Sequence, residues 1–311
     1  MDQPLVHIIV LNWNGLEDTS ELLESLSKIS YSNYLIVIVD NNSANDEAEK
    51  IENICEGKAH IIRCKENLGF AGGNNLGIKK ALEDNTDYIL LLNNDTTVNP
   101  DFLEILVNKF ETENQAGIIA PRINYYDEPE KIWSEGGKVS RIRGSGFAYS
   151  DKLETEFKRV DRSVTFVSGC CMLIKSEVFL KIGLFDENYF LYTEDTDLCL
   201  RVIKAGYKIY ITPQSKIFHK VNNSTKSSYS TLPLYYTTRN RLYFARKNFQ
   251  KFHFLTVSYI FLAMILKSIK WLLSGKLENI AAVQKAFNDF FSGKMGKTEH
   301  SFYSGEMYNK E

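Results

Sequence analysis

Three consecutive polar residues, Asn93-Asn94-Asp95, follow an apolar run and could bind a metal ion. A carboxylate flanked by amide side chains supplies hard oxygen ligands, which suit Mg²⁺ or Mn²⁺ bound together with phosphate groups. Aspartate at the end of a strand also commonly forms a turn, so this motif alone leaves both interpretations open.

A second group of carboxylates occurs in Thr193-Glu194-Asp195-Thr196-Asp197, directly before a helical pattern at residues 198–203. Acidic residues at a helix start interact favourably with the helix dipole, which is the structural alternative. Three carboxylates within four positions exceed what capping requires, and their mutual repulsion raises the proton affinity of at least one. The pattern therefore favours a general base here.

Two further features are less specific. His219 follows a short strand-like run, and a lone histidine is more often structural than a ligand. The glycine-rich stretch at residues 67–77 does not match the dinucleotide-binding pattern G-x-G-x-x-G. Its glycines would still allow the backbone to approach a ligand closely.

These residues need a scaffold, and the pattern of the chain predicts one. Strand-like apolar runs alternate with helical patterns through the first two-thirds of the chain, which is typical of a parallel α/β sheet. Three such runs, at 6–11, 35–39 and 88–92, end in polar clusters, namely Asn12 with Asn14, Asp40 with Asn42, and Asn93 with Asp95. Ligands of open parallel sheets bind beyond the carboxyl ends of the strands, so we expect these clusters to form one site. Residues 122–165 are irregular and predict either a long active-site loop or a small antiparallel insertion.

Composition excludes several classes of protein. The 311 residues are 44% hydrophobic and 24% charged, as in an ordinary folded protein rather than a disordered or fibrous one. Five cysteines without a CxxC pair indicate neither a disulfide framework nor a zinc site, which fits a reducing cytoplasm. The N-terminus lacks the pattern of a signal peptide, so we expect a cytoplasmic protein.

The net charge of −2 hides an uneven distribution. Residues 198–277 contain fourteen Lys or Arg and no Asp or Glu, so this segment carries +14 and the rest carries −16. Such asymmetry predicts an anionic partner: nucleic acid, a membrane surface or a phosphorylated substrate. Nucleic acid is disfavoured, because the basic segment includes an apolar stretch and the rest of the chain is strongly acidic.

That apolar stretch covers residues 252–273 and predicts contact with a membrane. Lys267 and Lys270 interrupt it, and its uninterrupted part is shorter than the ~20 residues that span a bilayer. We expect an interfacial helix at the inner face of the cell membrane, with Trp271 at the boundary and attraction of anionic lipid by Arg246, Lys247 and Lys251. A core helix and a homo-oligomer interface are the alternatives.

Taken together, the motifs are recognisable, and six of them occur in a characteristic order. They are Val10-Leu-Asn-Trp-Asn-Gly15, Val39-Asp-Asn-Asn-Ser43, Asn67-x-Gly-Phe-Ala-x-Gly-Asn-Asn75, Leu91-Leu-Asn-Asn-Asp95, Ser168-Gly-Cys-Cys-Met172 and Phe190-x-Tyr-x-Glu-Asp-x-Asp-Leu-Cys-Leu-Arg201. Over about residues 5–245 the chain resembles the family 2 glycosyltransferases, particularly their rhamnosyltransferase-like branch.

The resemblance implies a GT-A fold, with a Rossmann-like, mostly parallel sheet flanked by helices and a C-terminal helical extension. It implies inverting transfer of a sugar from a nucleoside diphosphate donor to a glycan or polyprenyl-linked acceptor, with Mg²⁺ or Mn²⁺ as cofactor. Asp195 matches the catalytic base, with Glu194 and Asp197 beside it, and Asp95 and His219 match metal-binding residues. The implied donor-binding residues are Asn12, Asn14, Asp40, Asn42, Asn67, Gly72, Asn75, Asn93, Asn94 and Asp95, with Asp40 recognising the pyrimidine base and Asn67, Gly72 and Asn75 in a loop over the nucleotide.

Further expectations concern the acceptor and the division of the chain. Trp133, Gly169, Cys170 and Arg239 are candidates for contacts with the acceptor or with phosphate. Residues 1–230 are expected to form the catalytic domain, and residues 231–311 a basic, partly apolar helical region that associates with the membrane. L-Rhamnose from dTDP-rhamnose is the preferred donor; galactofuranose or a hexose from UDP, and a catalytically silent nucleotide-sugar-binding scaffold, are the alternatives. The scaffold stays open because Asn93 stands where the family often has the first aspartate of Asp-x-Asp.

Overall fold

A computed structural model describes residues 3–157, 160–221 and 231–299. The strands in these ranges are β1 Val6–Asn12, β2 Tyr34–Asp40, β3 Ala59–Arg63, β4 Tyr88–Asn93, β5 Thr96–Val98, β6 Ala116–Tyr125, β7 Lys131–Ser134, β8 Gly137–Ser140, β9 Ser145–Ala148, β10 Lys152–Leu153, β11 Arg162–Val164, β12 Cys171–Lys175 and β13 Lys208–His219. The α-helices are α1 Leu16–Leu26, α2 Glu47–Cys55, α3 Gly69–Glu83, α4 Phe102–Thr112, α5 Ser176–Ile182, α6 Glu194–Lys204, α7 Thr231–Asn248, α8 His253–Leu273 and α9 Leu277–Phe291.

One mixed sheet organises the fold. Its first four strands are parallel in the order β3-β2-β1-β4, and β12 continues the sheet antiparallel to β4. The chain therefore moves from β1 outward through β2 and β3, and then returns to the other side of β1 with β4. Strand order reverses between β1 and β4, which is where open α/β sheets bind ligands. The register pairs Asn12 with Asp40 and Leu11 with Asn93, so all three strands end at one level.

The continuous apolar sequence of β1 follows from burial on both faces of the sheet. Ile8 and Val10 pack in the core beneath α1, α2 and α4, and Ile9 packs in the opposite core beneath α3, α5 and α6. Both cores are formed by residues that are almost completely buried, so the edge that carries the polar clusters rests on a rigid support.

The glycine-rich stretch forms a helix rather than the loop expected over a nucleotide. Helix α3 begins at Gly69, and two of its glycines, Gly73 and Gly77, lie against the sheet. A Cβ added at Gly73 would lie 2.4 Å from Leu11, and one at Gly77 would lie 2.4 Å from Ile9. Close packing of the helix on the sheet therefore accounts for glycine at positions 73 and 77.

Residues 122–165 form an antiparallel insertion, one of the two alternatives predicted for them. Strands β7, β10 and β11 extend the main sheet, and β8 and β9 form a separate hairpin. A buried ion pair supports the insertion: Arg122 Nε lies 2.6 Å from Glu135 Oε2, and neither side chain is exposed. Arg162 also bonds to Glu135, through both its carboxylate and its carbonyl oxygen.

The C-terminal helices α7, α8 and α9 pack around their own apolar cluster, which includes Leu242, Ile260 and Phe290. The expected boundary at 230/231 adjoins residues 222–230, which lie outside the described residues, as does Lys226 of the basic segment. Within the described ranges, α8 is the one helix long and apolar enough to cross a membrane by length and composition, at 21 residues and mean hydropathy 1.5. The uninterrupted apolar part, residues 252–266, is as short as expected from the sequence, but the helix itself continues through Lys267 and Lys270.

Candidate active site

A cavity of about 580 Å³ opens at the carboxyl end of β4, beside the strand-order reversal. Its wall combines strand ends, the segment before β12, the start of α6 and one face of α7. Its lining residues are Phe70, Asn93, Asp95, Trp133, Ser168, Gly169, Cys170, Leu191, Tyr192, Glu194, Asp195, His219, Val221, Pro233 and Thr237. Three of these are carboxylates and none is Lys or Arg, so among the described residues the wall is acidic.

Asp95 and His219, distant in sequence, are adjacent in space. His219 Nε2 lies 3.2 Å from Asp95 Oδ2, because β13 pairs with β5 and ends beside the turn that follows β4. Trp133 packs edge-on against the imidazole, with ring centroids 4.3 Å apart. Asp95 Oδ1 and His219 Nδ1 are buried and have no hydrogen-bond partner among the described residues.

This pair fits a divalent metal ion that also binds phosphate. The carboxylate and imidazole are both metal ligands, and an orphaned buried carboxylate oxygen is suited to coordination. The described residues contain no group of three or more His, Cys, Asp or Glu that could enclose a metal ion. Such a sparse set suits an ion that takes its remaining ligands from a diphosphate and water, as Mg²⁺ commonly does.

Glu194 and Asp195 begin α6 at the opposite wall. Asp195 Oδ2 accepts a hydrogen bond from Gly169 N at 3.2 Å, and its Oδ1 accepts one from Thr196 N at 2.6 Å. Burial raises the pKa of Asp195, although these amide donors oppose the rise. Burial and the neighbouring Asp195 charge raise the pKa of Glu194 well above its ordinary value, and its Oε2 has no partner among the described residues. Asp195 is therefore the carboxyl that ionises first, and Glu194 retains its proton.

Asp197 does not join these two, and its assignment to the catalytic group is corrected. Its carboxylate is fully buried away from the cavity. Oδ2 lies 2.8 Å from Arg201 Nε and 3.0 Å from Lys247 Nζ, and Oδ1 accepts a hydrogen bond from Asn248 Nδ2 at 2.9 Å. Asp197 thus joins α6 to α7.

The ends of β1 and β2 form a polar shelf beside the cavity, which we define as Asn12, Asp40, Ser43 and Glu47. Asn12 Nδ2 lies 3.0 Å from an oxygen of each of the other three residues. Asp40 Oδ2 accepts a further hydrogen bond from Ser43 N at 3.2 Å. Asn12 is fully buried, so it positions Asp40 instead of lining a pocket, contrary to its expected role.

Other predicted donor-binding residues are divided between the surface and the interior. Asn14 and Asn42 are exposed next to the polar shelf, with left-handed backbone φ of 52° and 64°. Asn93 lines the cavity. Asn94 turns inward, where its Nδ2 donates to Thr19 Oγ1 at 3.1 Å. Asn94 therefore links β4 to α1.

Of the three residues expected in a loop over the nucleotide, Asn67 bonds to the start of α3, and Gly72 and Asn75 lie within this helix. Asn67 Oδ1 accepts hydrogen bonds from Gly69 N at 2.8 Å and from Asn41 Nδ2 at 3.1 Å. Gly72 and Asn75 are buried within the helix. Asn75 Nδ2 donates to the Phe185 carbonyl oxygen at 3.0 Å, and Asn75 Oδ1 accepts from Phe185 N at the same distance. The predicted loop role of Gly72 and Asn75 is corrected, because both are helical: Asn75 joins α3 to the segment before α6, and Gly72 lies close to Leu68.

Of the four acceptor or phosphate candidates, three lie in the cavity wall. Trp133 and Cys170 line it, and Gly169 brings its amide to Asp195. Burial and the nearby Asp95 charge raise the pKa of the Cys170 thiol well above its ordinary value. Arg239 does not reach the cavity: its Nη1 donates to Tyr235 Oη at 3.0 Å and its Nη2 to the Gly296 carbonyl oxygen at 2.8 Å. Arg239 lies on the opposite side of α7 from the residues that line the cavity, so its predicted contact is corrected.

Several residues of the wall were not predicted from the sequence. They are Phe70, Ser168, Leu191, Tyr192, Val221, Pro233 and Thr237. Tyr192 lies in the motif that contains Asp195, which is a usable signal. Pro233 and Thr237 come from α7, and no pattern in the sequence indicates that this helix reaches the site.

Comparisons with known proteins concern the family and the fold. The model of the family described as Glycosyl transferase family 2 matches residues 7–183 of this chain. The dTDP-rhamnosyl transferase RfbF of Shigella flexneri is 27% identical over 78% of this chain and 80% of its own length. The low-salt glycan biosynthesis hexosyltransferase Agl10 of Haloferax volcanii is 28% identical over 88% of this chain and 87% of its own.

Among solved structures, the mannosyltransferase PcManGT of Pyrobaculum calidifontis, in complex with GDP-Man and Mn²⁺, has a similar fold. The two structures align with a TM-score of 0.60 at 13% sequence identity. The alignment covers 94% of this chain and 89% of the mannosyltransferase chain. The expected GT-A fold with C-terminal helices is confirmed.

Proposed function

The chain belongs to glycosyl transferase family 2, and from this premise we propose that it is an inverting, metal-dependent enzyme using dTDP-rhamnose. The resemblance seen in the sequence is confirmed, and the protein is a glycosyltransferase. The acceptor that we propose is a glycan or a polyprenyl-linked glycan. The relatives differ in the sugar that their names specify, rhamnosyl for one and hexosyl for the other, so hexose donors belong in every test.

One observation supports this proposal more than any other: a metal-ligand pair and a buried carboxylate pair line the same cavity. Asp195, as general base, would accept the proton of the acceptor hydroxyl while that oxygen attacks the anomeric carbon. Glu194 keeps its proton and so adds no second negative charge beside the base. A divalent metal ion held by Asp95 and His219 would supply positive charge to the departing diphosphate. One displacement needs no enzyme nucleophile, and the protonated Cys170 thiol is not one.

The nucleotide would lie along the polar shelf. Asp40 ends β2 two strands away from β4, so a base near Asp40 and a diphosphate near Asp95 would be separated by about two strand spacings, roughly 10 Å. That span suits a nucleoside between base and diphosphate. Asn14 and Asn42 are the exposed amides available to the donor at this level.

Donor hydrolysis tests this proposal. The purified protein is incubated with dTDP-rhamnose, UDP-galactofuranose, UDP-glucose or GDP-mannose, with Mg²⁺, Mn²⁺ or a chelator. We expect turnover of one donor that requires metal and is lost in Asp95→Ala and in Asp195→Asn. Asp101→Asn, an exposed aspartate at the start of α4, is the matched control and should keep wild-type turnover. Wild-type rates in both site variants would contradict the proposal, and nucleotide binding without turnover of any donor would favour the scaffold.

We also propose that the protein acts at the cytoplasmic face of the membrane, with residues 231–311 as its membrane-associating region. Helix α8 buries one stripe, including Ile260 and Met264, against α7 and α9. Its other face exposes apolar side chains, among them Leu262 at 59% and Leu266 at 61%. An exposed apolar face on a helix with lysines near its end is typical of interfacial helices.

Vesicle flotation tests the membrane association. Leu262→Gln with Leu266→Gln should reduce co-flotation with vesicles strongly, because the burial of two large apolar side chains is lost. Leu180→Gln is the matched control, since Leu180 is 74% exposed on α5. Equal flotation of the double variant and the control would contradict an interfacial role for α8.

A further inference from the structure

The segment between Tyr189 and Thr193, which leads into α6, has an unfavourable backbone. Phe190 has φ 58° and ψ −59°, and Leu191 N donates to the Tyr189 carbonyl oxygen at 2.6 Å, which together form a γ-turn of the strained, positive-φ kind. Tyr192 and Thr193 follow with φ of 67° and 79°. Non-glycine residues in such conformations persist only where their surroundings hold them, and each costs about 1–3 kcal/mol.

The side chain of Asn240 on α7 holds this segment. It is completely buried, and its Nδ2 lies 2.8 Å from the Tyr189 carbonyl oxygen, 2.8 Å from that of Leu191 and 2.9 Å from that of Tyr192. An amide nitrogen has two hydrogens, so three carbonyl oxygens share two donors. A second contact comes from α3, where Phe70 N donates to the Phe190 carbonyl oxygen at 2.7 Å.

We propose that Asn240 is a positioning residue for catalysis, because it fixes the strained segment that sets the start of α6 and therefore the place of Asp195. This inference rests on the proposed role of Asp195 as general base. Leu191 and Tyr192 line the cavity and Glu194 starts the helix, so a shift of this segment moves the wall and the base together. Asn240 itself lines no part of the cavity and acts through the backbone.

The test separates turnover from binding and from stability. Asn240→Ala should lower kcat about 100-fold, since a misplacement of about 1 Å can have that effect. Its KM for the donor and its affinity for the free nucleoside diphosphate should stay close to wild type, because the polar shelf is untouched. Tyr235→Phe is the matched control: Tyr235 Oη donates to Asp289 Oδ2 at 2.6 Å on the other side of α7, so a buried hydrogen bond is lost there too. Equal kcat of the folded fraction in the two variants would overturn the proposal.

Asn240→Asp provides a second test if the alanine variant does not fold. One oxygen of the introduced carboxyl would face three carbonyl oxygens, which favour its protonated form, and the other would face Arg239 Nε, which lies 3.1 Å from Asn240 Oδ1 and favours the ionised form. The carboxyl would therefore donate one hydrogen bond to the segment at low pH and none once it is ionised. Its kcat relative to wild type should therefore fall as the pH rises and that proton is lost. A constant ratio across pH would contradict the positioning role. If wild type itself turns over no donor, the proposed function fails instead.

A second inference concerns the cations that would meet the membrane. Two of the three cations expected from the sequence to attract lipid have partners within the protein. Lys247 pairs with Asp186 and Asp197, and Arg246 lies over the Phe290 ring. The side chain of the third, Lys251, is outside the described residues. Arg141 and Lys204 instead line a cavity of about 370 Å³ next to the start of α8.

This cavity combines cations with exposed apolar side chains. Ile142, Phe252 and Leu255 line it, with exposed fractions of 62%, 67% and 52%, and no carboxylate does so among the described residues. Thr256 Oγ1 donates to the Arg141 carbonyl oxygen at 2.5 Å, which attaches the turn between β8 and β9 to α8. Burial lowers the pKa of Lys204; the charges of Lys247 and Arg141 add to this effect, and the charge of Asp197 opposes it.

The geometry points to a binding site for the headgroup of an anionic phospholipid, at the end of the apolar face of α8. The phosphate would lie between Arg141 and Lys204, and the acyl chains would continue along Phe252 and Leu255. This inference rests on the proposed membrane association, and it adds the turn between β8 and β9 to the surface that contacts lipid.

Flotation with vesicles of phosphatidylcholine, with and without phosphatidylglycerol, tests the site. Arg141→Ala with Lys204→Ala should weaken binding to phosphatidylglycerol vesicles roughly tenfold or more, since two cations are lost. Binding to phosphatidylcholine alone should not change. Lys65→Ala with Lys79→Ala is the matched control, because both lysines are exposed elsewhere.

The outcomes distinguish the two proposals and the two sources of phosphate. A double variant that keeps the wild-type preference for phosphatidylglycerol contradicts the headgroup site alone. Wild type that binds neither vesicle contradicts the membrane association. Inorganic phosphate is the alternative ligand, and competition decides between the two. If inorganic phosphate abolishes the preference for phosphatidylglycerol vesicles and chloride at equal ionic strength does not, the cavity binds free phosphate and the proposed lipid site is wrong.

Discussion

The polar shelf and the wall formed by Glu194 and Asp195 differ in how fully their polar side chains are hydrogen-bonded. On the polar shelf, Asn12 and Asp40 are buried and bonded to each other. At the wall, Glu194 Oε2 has no partner among the described residues, and the backbone leading to it is left-handed at three positions. A satisfied region can bind without rearranging, whereas a buried carboxyl without partners has a shifted proton affinity. The difference separates binding from proton transfer, and it can be tested.

Within one helix, the largest contrast is between Asp195 and Asp197. Asp195→Asn should lower kcat by about 10²–10⁴-fold, because an amide cannot accept the proton. Asp197→Asn should leave kcat of the folded protein nearly unchanged and reduce stability by about 1–3 kcal/mol, because Arg201 loses its charged partner and Lys247 loses one of two. Transfer kinetics and urea unfolding of both variants measure this. Equal loss of kcat in the two would remove the distinction between the two carboxylates.

On the polar shelf, Asn12→Ala should affect stability and donor binding rather than turnover. Removing the amide leaves Asp40 and Glu47 without a shared donor, at a cost of about 1–3 kcal/mol. We expect a raised KM for the donor at nearly constant kcat, measured by steady-state kinetics beside thermal unfolding. A fall in kcat at unchanged KM would place Asn12 with the catalytic wall.

Glu194→Gln should raise the melting temperature by a few degrees near neutral pH. The pKa of Glu194 is raised in the folded state, so its stabilising contribution is present at low pH and is lost as the pH rises through the folded pKa. The gain of the amide variant should therefore be largest at alkaline pH and vanish below the ordinary glutamate pKa of about 4.3. Thermal scans of both proteins across pH test this, and a gain that grows at acid pH would refute it.

Cys170→Ala should have the smallest effect. The thiol lines the cavity, but its raised pKa keeps it protonated and unreactive. We expect kcat within about twofold of wild type, as for a residue that is not a nucleophile. Inactivation of wild type by iodoacetamide at neutral pH, absent in the variant, would contradict this.

The positions of the strand ends could be predicted from the sequence. Which of two similar side chains faces the cavity could not. The three polar clusters follow uninterrupted apolar runs, and the parallel register of β1, β2 and β4 brings those run ends together, as expected. Asp195 and Asp197 are chemically alike and two positions apart. Which of them faces the cavity depends on Lys247 and Asn248, about fifty residues away.

The same limit explains the other corrections. Gly72 and Asn75 belong to a glycine-rich stretch whose composition fits a loop, but close contact with the sheet favours a helix there. Arg239 and Thr237 are two residues apart on α7 and lie on different sides of it. Asn240, completely buried, could not be distinguished in the sequence from a surface amide.

The pairing of β5 with β13 has a consequence for how the protein tolerates insertions and deletions. Thr96 faces His219 in this pairing, so the register of the two strands places the imidazole beside Asp95, which lies in the turn directly before β5. Side chains alternate across a strand, so a slip of one residue turns every side chain to the other face. A one-residue deletion between Lys216 and His219 would present Lys220 in place of the imidazole, and a one-residue insertion would present Phe218. We therefore expect residues 216–219 not to tolerate a change in length.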